Sequence, residues 1–413
     1  MKVAVIGLGQ RGSNYIRIIS LFCKDIEIVA VCDKNKVITD QIAKKYKVEK
    51  KFYDEKDFFG AGKLADAIIV ATQDRDHIRH CNLAIDNGYD KILVEKPVSP
   101  IIEECVALQK RAEEKNISIV VCHVLRYSKY YKKIKEIIQK GIIGDVMTIN
   151  HTENVGYFHY AHSYVRGNWR DSSVTSPMIM AKCCHDFDLL QWFIDKKCLA
   201  VSSFGGLSYF RKENMPKGAA DRCIDCKVEC PYNAMELYIT DPLHKATFLR
   251  FSGRILTGKS GSTKEERIEA LENGNYGRCV YKSDNNVVDH QIVNMLFEGG
   301  VTASHTVTAF SKNFYRRTHV CGTKGEIIGN DLDGKLTVNI FKGKSKTIGT
   351  KWIKGLGHID GDINLIKDWC KLIQGKLEDD KDVTYLSHTI PSHKIVMTAE
   401  ESRLQGGKVL DID

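Results

Sequence analysis

Residues 2–12, KVAVIGLGQRG, decide the reading of the fold. Val3 to Ile6 form an apolar run of strand type, which breaks off at Gly7-Leu8-Gly9-Gln10-Arg11-Gly12, a G-x-G-x-x-G turn leading into a helical pattern from about Arg11. The glycines of such a turn let the chain reverse tightly, let backbone approach a pyrophosphate, and let the helix pack on the strand. The helix start adds N–H groups and a positive dipole for the phosphates. Alone the motif is a weak signal. It gains weight because a second strand, IEIVAVCD (26–33), ends at Asp33, 21 residues beyond Gly12. That is close to the ~20 residues expected for an acid that grips the ribose hydroxyls. Such an acid repels a 2′-phosphate, so NAD is favoured over NADP; Lys34 softens the preference, since it can pair with that phosphate.

The alternation continues outward through a helix near 36–46, the strand DAIIVAT (66–72), a helix 75–87, KILVEKP (91–97), a helix 101–115 and ISIVVCH (117–123). Continuous β-branched runs between helical periods are strands buried on both faces, so the first part of the chain is expected to be a doubly wound α/β domain with a parallel sheet. Ligands of such sheets sit at the carboxyl ends of the strands, which places Ala71-Thr72 and Glu95-Lys96-Pro97 beside the cofactor. A lysine there can polarise a hydroxyl or carbonyl.

Composition sets the outer bounds. A chain of 413 residues, 43% apolar and 27% charged, has room for two or three globular domains. MKVAVIG at the start reads as a strand rather than a signal peptide, and no apolar run approaches the ~20 residues of a membrane span, so a cytoplasmic location without membrane partners is expected. In that setting the 14 cysteines read as thiols or metal ligands rather than disulfides. The net charge of +9 comes from short basic clusters mixed with acids, which argues against nucleic acid as a partner.

With the glycine turn, ATQDRDH (71–77) and above all EKP (95–97), the chain resembles the Gfo/Idh/MocA oxidoreductases, a family that includes glucose-fructose oxidoreductase and inositol dehydrogenase. The resemblance covers nearly the whole chain. It implies that Glu95-Lys96-Pro97 holds the nicotinamide and the reacting hydroxyl, that Thr72 and His77 are cofactor-side and supporting residues, and that Trp169-Arg170 lies at the nicotinamide side. Gly7, Gly9, Gln10, Arg11, Gly12 and Asp33 complete the expected cofactor set. It also implies a second, α+β domain with an open, mostly antiparallel sheet, one face carrying helices and the other forming a homodimer or homotetramer. The segments 146–158, 199–210, 290–310, 317–331 and 335–341 alternate as such strands do, and a helix near 390–404 and the short KVLDI close the chain. The expected division is a Rossmann domain over 1–122 and a substrate domain over 123–413, with a cysteine-rich insert at about 211–280.

The second-domain site centres on SPMIMAKCCHDFDLLQWFI (176–194). Ser176 is expected to cap this helix and Pro177 to enter its first turn. Helical spacing gives Ile179, Cys183, Phe187, Leu190 and Ile194 as the core stripe and puts Lys182, His185 and Leu189 on a neighbouring face. In the resembled family the equivalent helix carries a histidine near the transferred hydride and an acid three residues on, which match His185 and Asp188. Ala181 stands where the family has another aspartate, and Lys182 is the residue placed to replace its function. The expected chemistry is proton removal by His185 with Lys96 and Lys182 stabilising the oxyanion; the bland alternative is a core histidine. Ahead of the helix, 151–171 is dense in polar and aromatic groups, and His159, His162, Tyr164 and Arg166 are substrate candidates together with Arg126, Tyr127 and Asp188.

The insert contains Cys223-x2-Cys226-x3-Cys230-Pro231. Three thiolates at this spacing can wrap a structural zinc if a fourth ligand, Cys183 or Cys184, joins them. The run is also like the tail of a ferredoxin motif, but Ala220 stands at the preceding position, which weighs against iron–sulfur. His358, in GLGHIDGD (355–362), is a further pocket candidate. The resemblance implies an NAD-dependent oxidoreductase acting on a secondary hydroxyl of a sugar, cyclitol or polyol. The competing readings are a redox-neutral, NAD-dependent glycoside-cleaving enzyme and a non-enzymatic NAD- or sugar-sensing regulator.

Overall fold

The computed structural model describes residues 1–240, 253, 255–259, 261–350 and 359–412; His358 lies outside them. The described chain forms two units. The first comprises residues 1–128 together with 359–394. Its strands are β1 (Lys2–Ile6), β2 (Glu27–Cys32), β3 (Lys50–Phe52), β4 (Ala67–Val70), β5 (Lys91–Val94) and β6 (Ser118–Val121), all parallel in the order β3-β2-β1-β4-β5-β6. Successive residues feed opposite faces: Val3, Val5, Ile69, Leu93 and Val120 join one core, Ala4, Ile6, Ile68, Val94 and Val121 the other. Burial on both faces is the reason these strands read as unbroken apolar runs.

Two elements of this unit escape the sequence pattern. β3 is the edge strand KKF, too short and too polar to show a period. The expected boundary near residue 122 also misses a return of the chain, because the helix Ile359–Ile373 delivers Leu365, Ile366, Trp369 and Ile373 into the core that holds Val3 and Val5. Residues 359–394 therefore belong with the first unit rather than the second.

The second unit carries β7 (Val146–Asn154), β8 (Cys198–Gly206), β9 (His290–Phe297), β10 (Thr302–Thr308), β11 (Tyr315–Gly322), β12 (Gly325–Asn330), β13 (Lys335–Ile340), β14 (Lys346–Gly349) and β15 (Leu410–Asp411). They form one sheet in the order β14-β13-β12-β11-β7-β10-β9-β8-β15, antiparallel except where β10 lies beside β7. β9 alternates strictly between exposed and buried residues, as a sheet covered on one face requires. The covering element is the helix Met178–Ile194, which packs on β7 and β10 and is itself backed by the helix Lys129–Gln139. Fifteen of its 17 residues are buried, Leu189 among them, so the expected single core stripe is instead a helix enclosed nearly all round. No helix among the described residues is long and apolar enough to cross a membrane.

Candidate active site

In the first unit the glycine turn separates three different needs. Gly7 has φ +89°, and a Cβ on it would meet Ala71 O at 2.3 Å; a Cβ on Gly12 would meet Gly7 O at 2.0 Å. These two glycines are demanded by the protein's own packing. Gly9 is different, since a Cβ there would meet nothing within 4 Å. It sits at the N-cap of the helix Gln10–Phe22, which no side chain caps. A helix start left open, with clear space at the cap residue, fits an approaching pyrophosphate. Asp33 stands beside it at the end of β2, accepting from the Leu8 N–H at 2.6 Å and the Asn35 N–H at 2.8 Å, and it is only partly buried. Its carboxylate thus faces the same turn.

Arg11 behaves otherwise than expected of a cofactor side chain. Its Nε pairs with Glu95 at 2.7 Å, its Nη1 and Nη2 grip Asp362 at 3.0 and 2.7 Å, and Nη2 also reaches the Tyr15 hydroxyl at 2.6 Å. The guanidinium is therefore spent on an internal cage. Tyr15 donates to Glu95 as well, and the second oxygen of Glu95 accepts from the backbone N–H of Lys96 at 3.0 Å. Glu95 accordingly acts as a bracket that fixes the strand end carrying Lys96, not as a free ligand. Burial opposes its ionisation, yet the Arg11 guanidinium and Lys96 outweigh that and hold its carboxyl below the ordinary value. Asp362 was not anticipated, because nothing local in GHIDGD marks it as the partner of an arginine 351 residues away.

His77 bridges two strand-end loops. It is 1% exposed, with Nδ1 2.7 Å from Pro97 O and Nε2 3.2 Å from Thr72 O, so it clamps together the two strand-end loops. Thr72 Oγ1 meets His80 Nδ1 at 2.9 Å, and His80 Nε2 meets Glu55 at 2.6 Å, a relay the sequence did not reveal. The Lys96–Pro97 peptide is cis. Buried His123 lies close to Arg126 and Lys96; burial first, then these two cations, push its pKa well below the ordinary value. Tyr127, expected at the substrate, spends its hydroxyl on Thr384, 3.2 Å from Oγ1 and 3.1 Å from the backbone N–H, and is 4% exposed. It is a structural residue of the first unit.

In the second unit the helix Met178–Ile194 has the expected span, 178–194, but a different cap. Pro177, not Ser176, occupies the cap, its carbonyl accepting from Met180 and Ala181 at 2.9 Å each, with no side-chain cap bond. Lys182 and His185 follow on adjacent turns, and His185 and Asp188 are buried at 5% and 1% exposure. Lys182 Nζ lies 3.4 Å from Glu153 Oε1 on β7. Arg316 on β11 reaches the other oxygen of Glu153 at 2.7 Å and Asp186 at 2.5 Å, while His151 holds Asp186 at 2.8 Å and Thr318 at 3.0 Å. Burial pushes the Glu153 carboxyl up, against the pull of Arg316 and Lys182; for Asp186 burial loses to Arg316 and His151, and its carboxyl is held far down. Lys182 and Gln191 are the two residues of this helix that are not fully buried. Partly exposed His159 is near Lys182, and burial, then the Lys182 charge, push its pKa well below the ordinary value.

The other loop candidates turn elsewhere. His162 Nδ1 meets the Tyr238 hydroxyl at 2.7 Å and its ring stacks on Tyr276, so it packs into the insert, and burial takes its pKa down to about 3. Arg166, 1% exposed, donates to Arg278 O, Tyr232 O and Cys223 Sγ at 2.8, 2.7 and 3.3 Å. Neither is directed to a substrate as expected. A π-helical turn, Ala161–Arg166, rotates these side chains away from the positions that a plain loop reading assigns them. Tyr164 stacks on Tyr160 and leans on Trp169, and Arg170 Nε pairs with Asp284 at 3.0 Å. Cys183 is grouped with Asp186 and His305 and is not the fourth ligand of the cysteine run.

Comparison with known proteins agrees with this architecture. Residues 1–123 match the model of an oxidoreductase family with an NAD-binding Rossmann fold, named GFO_IDH_MocA, and residues 135–355 match that family's C-terminal alpha/beta domain. The protein YteT of Bacillus subtilis (strain 168), an oxidoreductase by name, is 24% identical over 339 residues, 79% of this chain and 73% of the relative. Inositol 2-dehydrogenase of Salmonella typhimurium (strain LT2) is 24% identical over 206 residues, 49% of this chain and 57% of that enzyme, so the match spans little more than half of it. Among solved structures, levoglucosan dehydrogenase in complex with NADH superposes with a TM-score of 0.72 at 16% identity, covering 100% of this chain and 99% of that one, which is a likeness of fold.

Proposed function

This chain belongs to the Gfo/Idh/MocA oxidoreductase family, with both its NAD-binding and its C-terminal domain, and from that premise we propose that it is an NAD-dependent oxidoreductase taking hydride from a secondary hydroxyl of a sugar, cyclitol or related polyol. Relatives named inositol dehydrogenase support the substrate class. Gly7, Gly9 and Gly12 with the open helix start would hold the pyrophosphate, and Asp33 the ribose. NAD, when bound, supplies the hydride acceptor. Lys96, fixed by the Arg11–Glu95 cage, polarises the reacting oxygen. His185 takes the hydroxyl proton, a role for which an imidazole is the usual side chain. Lys182, held by Glu153, stabilises the alkoxide in place of the aspartate that Ala181 lacks. The observation that carries the reading is this last one: a lysine on the enclosed helix, three residues before the histidine, paired with Glu153 of the neighbouring strand.

The uncovered face of the nine-stranded sheet exposes Phe204, Ile292 and Leu296, which supports a homodimer or homotetramer through that face. The test of function incubates the protein and NAD with a panel of inositols, sugars, uronates and glycosides, following NADH absorbance and products. A ketone formed with an equal amount of NADH is the expected result. Glycoside cleavage without net NADH would replace it with the redox-neutral reading, and a Lys96→Ala or His185→Ala variant with full biological function would replace it with the regulator.

A further inference from the structure

Four cysteines of the second unit, Cys223, Cys226, Cys230 and Cys279, line one cavity. Three come from the run ending in Pro231; the fourth arrives 49 residues further on, from a segment that the linear spacing does not connect with it. None of them is in a disulfide. Ala220, at the position where a ferredoxin-type run would carry its first cysteine, lies in the same wall, so Cys279 brings in space the thiol that Ala220 lacks in sequence.

Arg166 is the second observation. It lines the cavity at 1% exposure; Nη2 donates to Cys223 Sγ at 3.3 Å, and Nη1 is buried with no hydrogen-bond partner among the described residues. It also meets the carbonyls of Arg278 and Tyr232 and the Tyr238 hydroxyl. A buried guanidinium with no carboxylate beside it among the described residues is a cation without a counter-charge, which is costly. Four metal-bound thiolates would supply that charge next to the open Nη1.

We propose that this cavity binds a [4Fe–4S] cluster through Cys223, Cys226, Cys230 and Cys279, with Arg166 as its counter-charge. A single zinc is the poorer fit. At a Zn–S distance of about 2.3 Å a tetrahedral site draws every pair of sulfurs to within ~3.8 Å. Among the described residues no three of these sulfurs lie within 4.8 Å of one another, although all four residues line the same cavity. A cubane places each thiolate on a different iron at a different corner, so ligands spread around a void are what it requires. The cluster would tie 216–233 to 279–281 and so close the insert against the loop that holds Arg166. The proposal concerns binding alone and is independent of the hydride chemistry.

The full-length protein, purified without oxygen and, in parallel, reconstituted with ferrous iron and sulfide under reducing conditions, is assayed for iron, acid-labile sulfide, zinc and visible charge-transfer absorption. About four iron and four sulfide per chain are expected. Cys279→Ser and Cys226→Ser are each expected to lose more than half of the iron, and Cys23→Ser, in the first unit, to lose none. NAD binding checks that each variant keeps its first unit folded; if Cys279→Ser does not, the iron and sulfide count of the unaltered protein decides. One zinc per chain that Cys279→Ser removes would overturn the cluster, as would a reconstituted protein free of metal whose four thiols all react with a thiol reagent.

Discussion

Each unit holds an arginine between two carboxylates, Arg11 between Glu95 and Asp362 in the first and Arg316 between Asp186 and Glu153 in the second. In each, one acid is held below its ordinary value by the arginine, Glu95 and Asp186, and burial pushes the other above it, Asp362 and Glu153. The use made of the arrangement differs. Glu95 passes its second oxygen to the Lys96 backbone, so the first cluster positions a piece of main chain. Glu153 faces the Lys182 ammonium, so the second cluster positions a side-chain cation. The Arg11 side chain is also 32% exposed, against 6% for Arg316. One electrostatic device thus fixes a piece of backbone where water reaches it and a side-chain ammonium where water does not.

The largest expected effect breaks this symmetry directly. Arg316→Leu leaves Asp186 and Glu153 buried without their cation, and the unfolding free energy should fall by about 3–5 kcal/mol. Arg11→Leu removes charged hydrogen bonds from a partly wetted site and should cost only about 1.5–3 kcal/mol. Urea denaturation of both variants measures the difference, and equal losses would show that burial does not separate the two clusters.

Second in size is the chemistry assigned to the second cluster. Lys182→Met should lower kcat about 10²–10³-fold while leaving NAD binding in place, since the residues proposed to hold the pyrophosphate and ribose, Gly7, Gly9, Gly12 and Asp33, lie in the first unit. Glu153→Gln keeps the shape but removes the charge that holds Lys182, so kcat should fall less and its pH profile should shift. A Lys182→Met enzyme with unchanged kcat would reduce the second cluster to a structural one, like the first.

The sequence reading succeeds where burial leaves a period and fails where it does not. The parallel sheet is legible because both faces of β1, β4 and β5 are filled, and the strands of the second sheet show because β9 alternates. The returning helix Ile359–Ile373 is helical in pattern, but nothing local says which core it joins. The glycine turn is local and was legible. Arg166, His162 and Tyr127 were misread because composition shows that a loop is rich in polar groups and cannot show which way each one turns. Asp362 beside Arg11, Glu153 beside Lys182 and Cys279 beside Cys223 are all contacts between distant segments, and a single sequence holds no signal for them.

Acid acts on both clusters, each of which has a buried imidazole nearby: His123 feels Glu95, and His305 lies 3.9 Å from Asp186. Burial takes His305 down to about 3, as it does His162. An unfolded histidine titrates near ~6.5, so between these values the unfolded chain holds more protons than the folded one. Stability is therefore full above pH ~6.5 and declines as the pH falls toward 3, by up to ~1.4 kcal/mol per pH unit for each such histidine. Unfolding free energies measured between pH 7 and 4 should show this slope, and His305→Gln should flatten it by one proton's worth. An unaltered slope would mean that His305 is protonated in the fold and adds a cation to the second cluster.

The smallest effect belongs to an ion pair that the comparison treats as a control. Lys51 and Asp40 meet at 2.5 Å, as close as Arg316 and Asp186, yet their side chains are 45% and 50% exposed. Water and salt screen such a pair, and two mobile side chains lose freedom in holding it. Lys51→Met should leave the thermal midpoint unchanged within measurement, at low and at moderate salt alike. A clear drop would mean that contact distance alone ranks these pairs, and the burial argument separating Arg316 from Arg11 would fail with it.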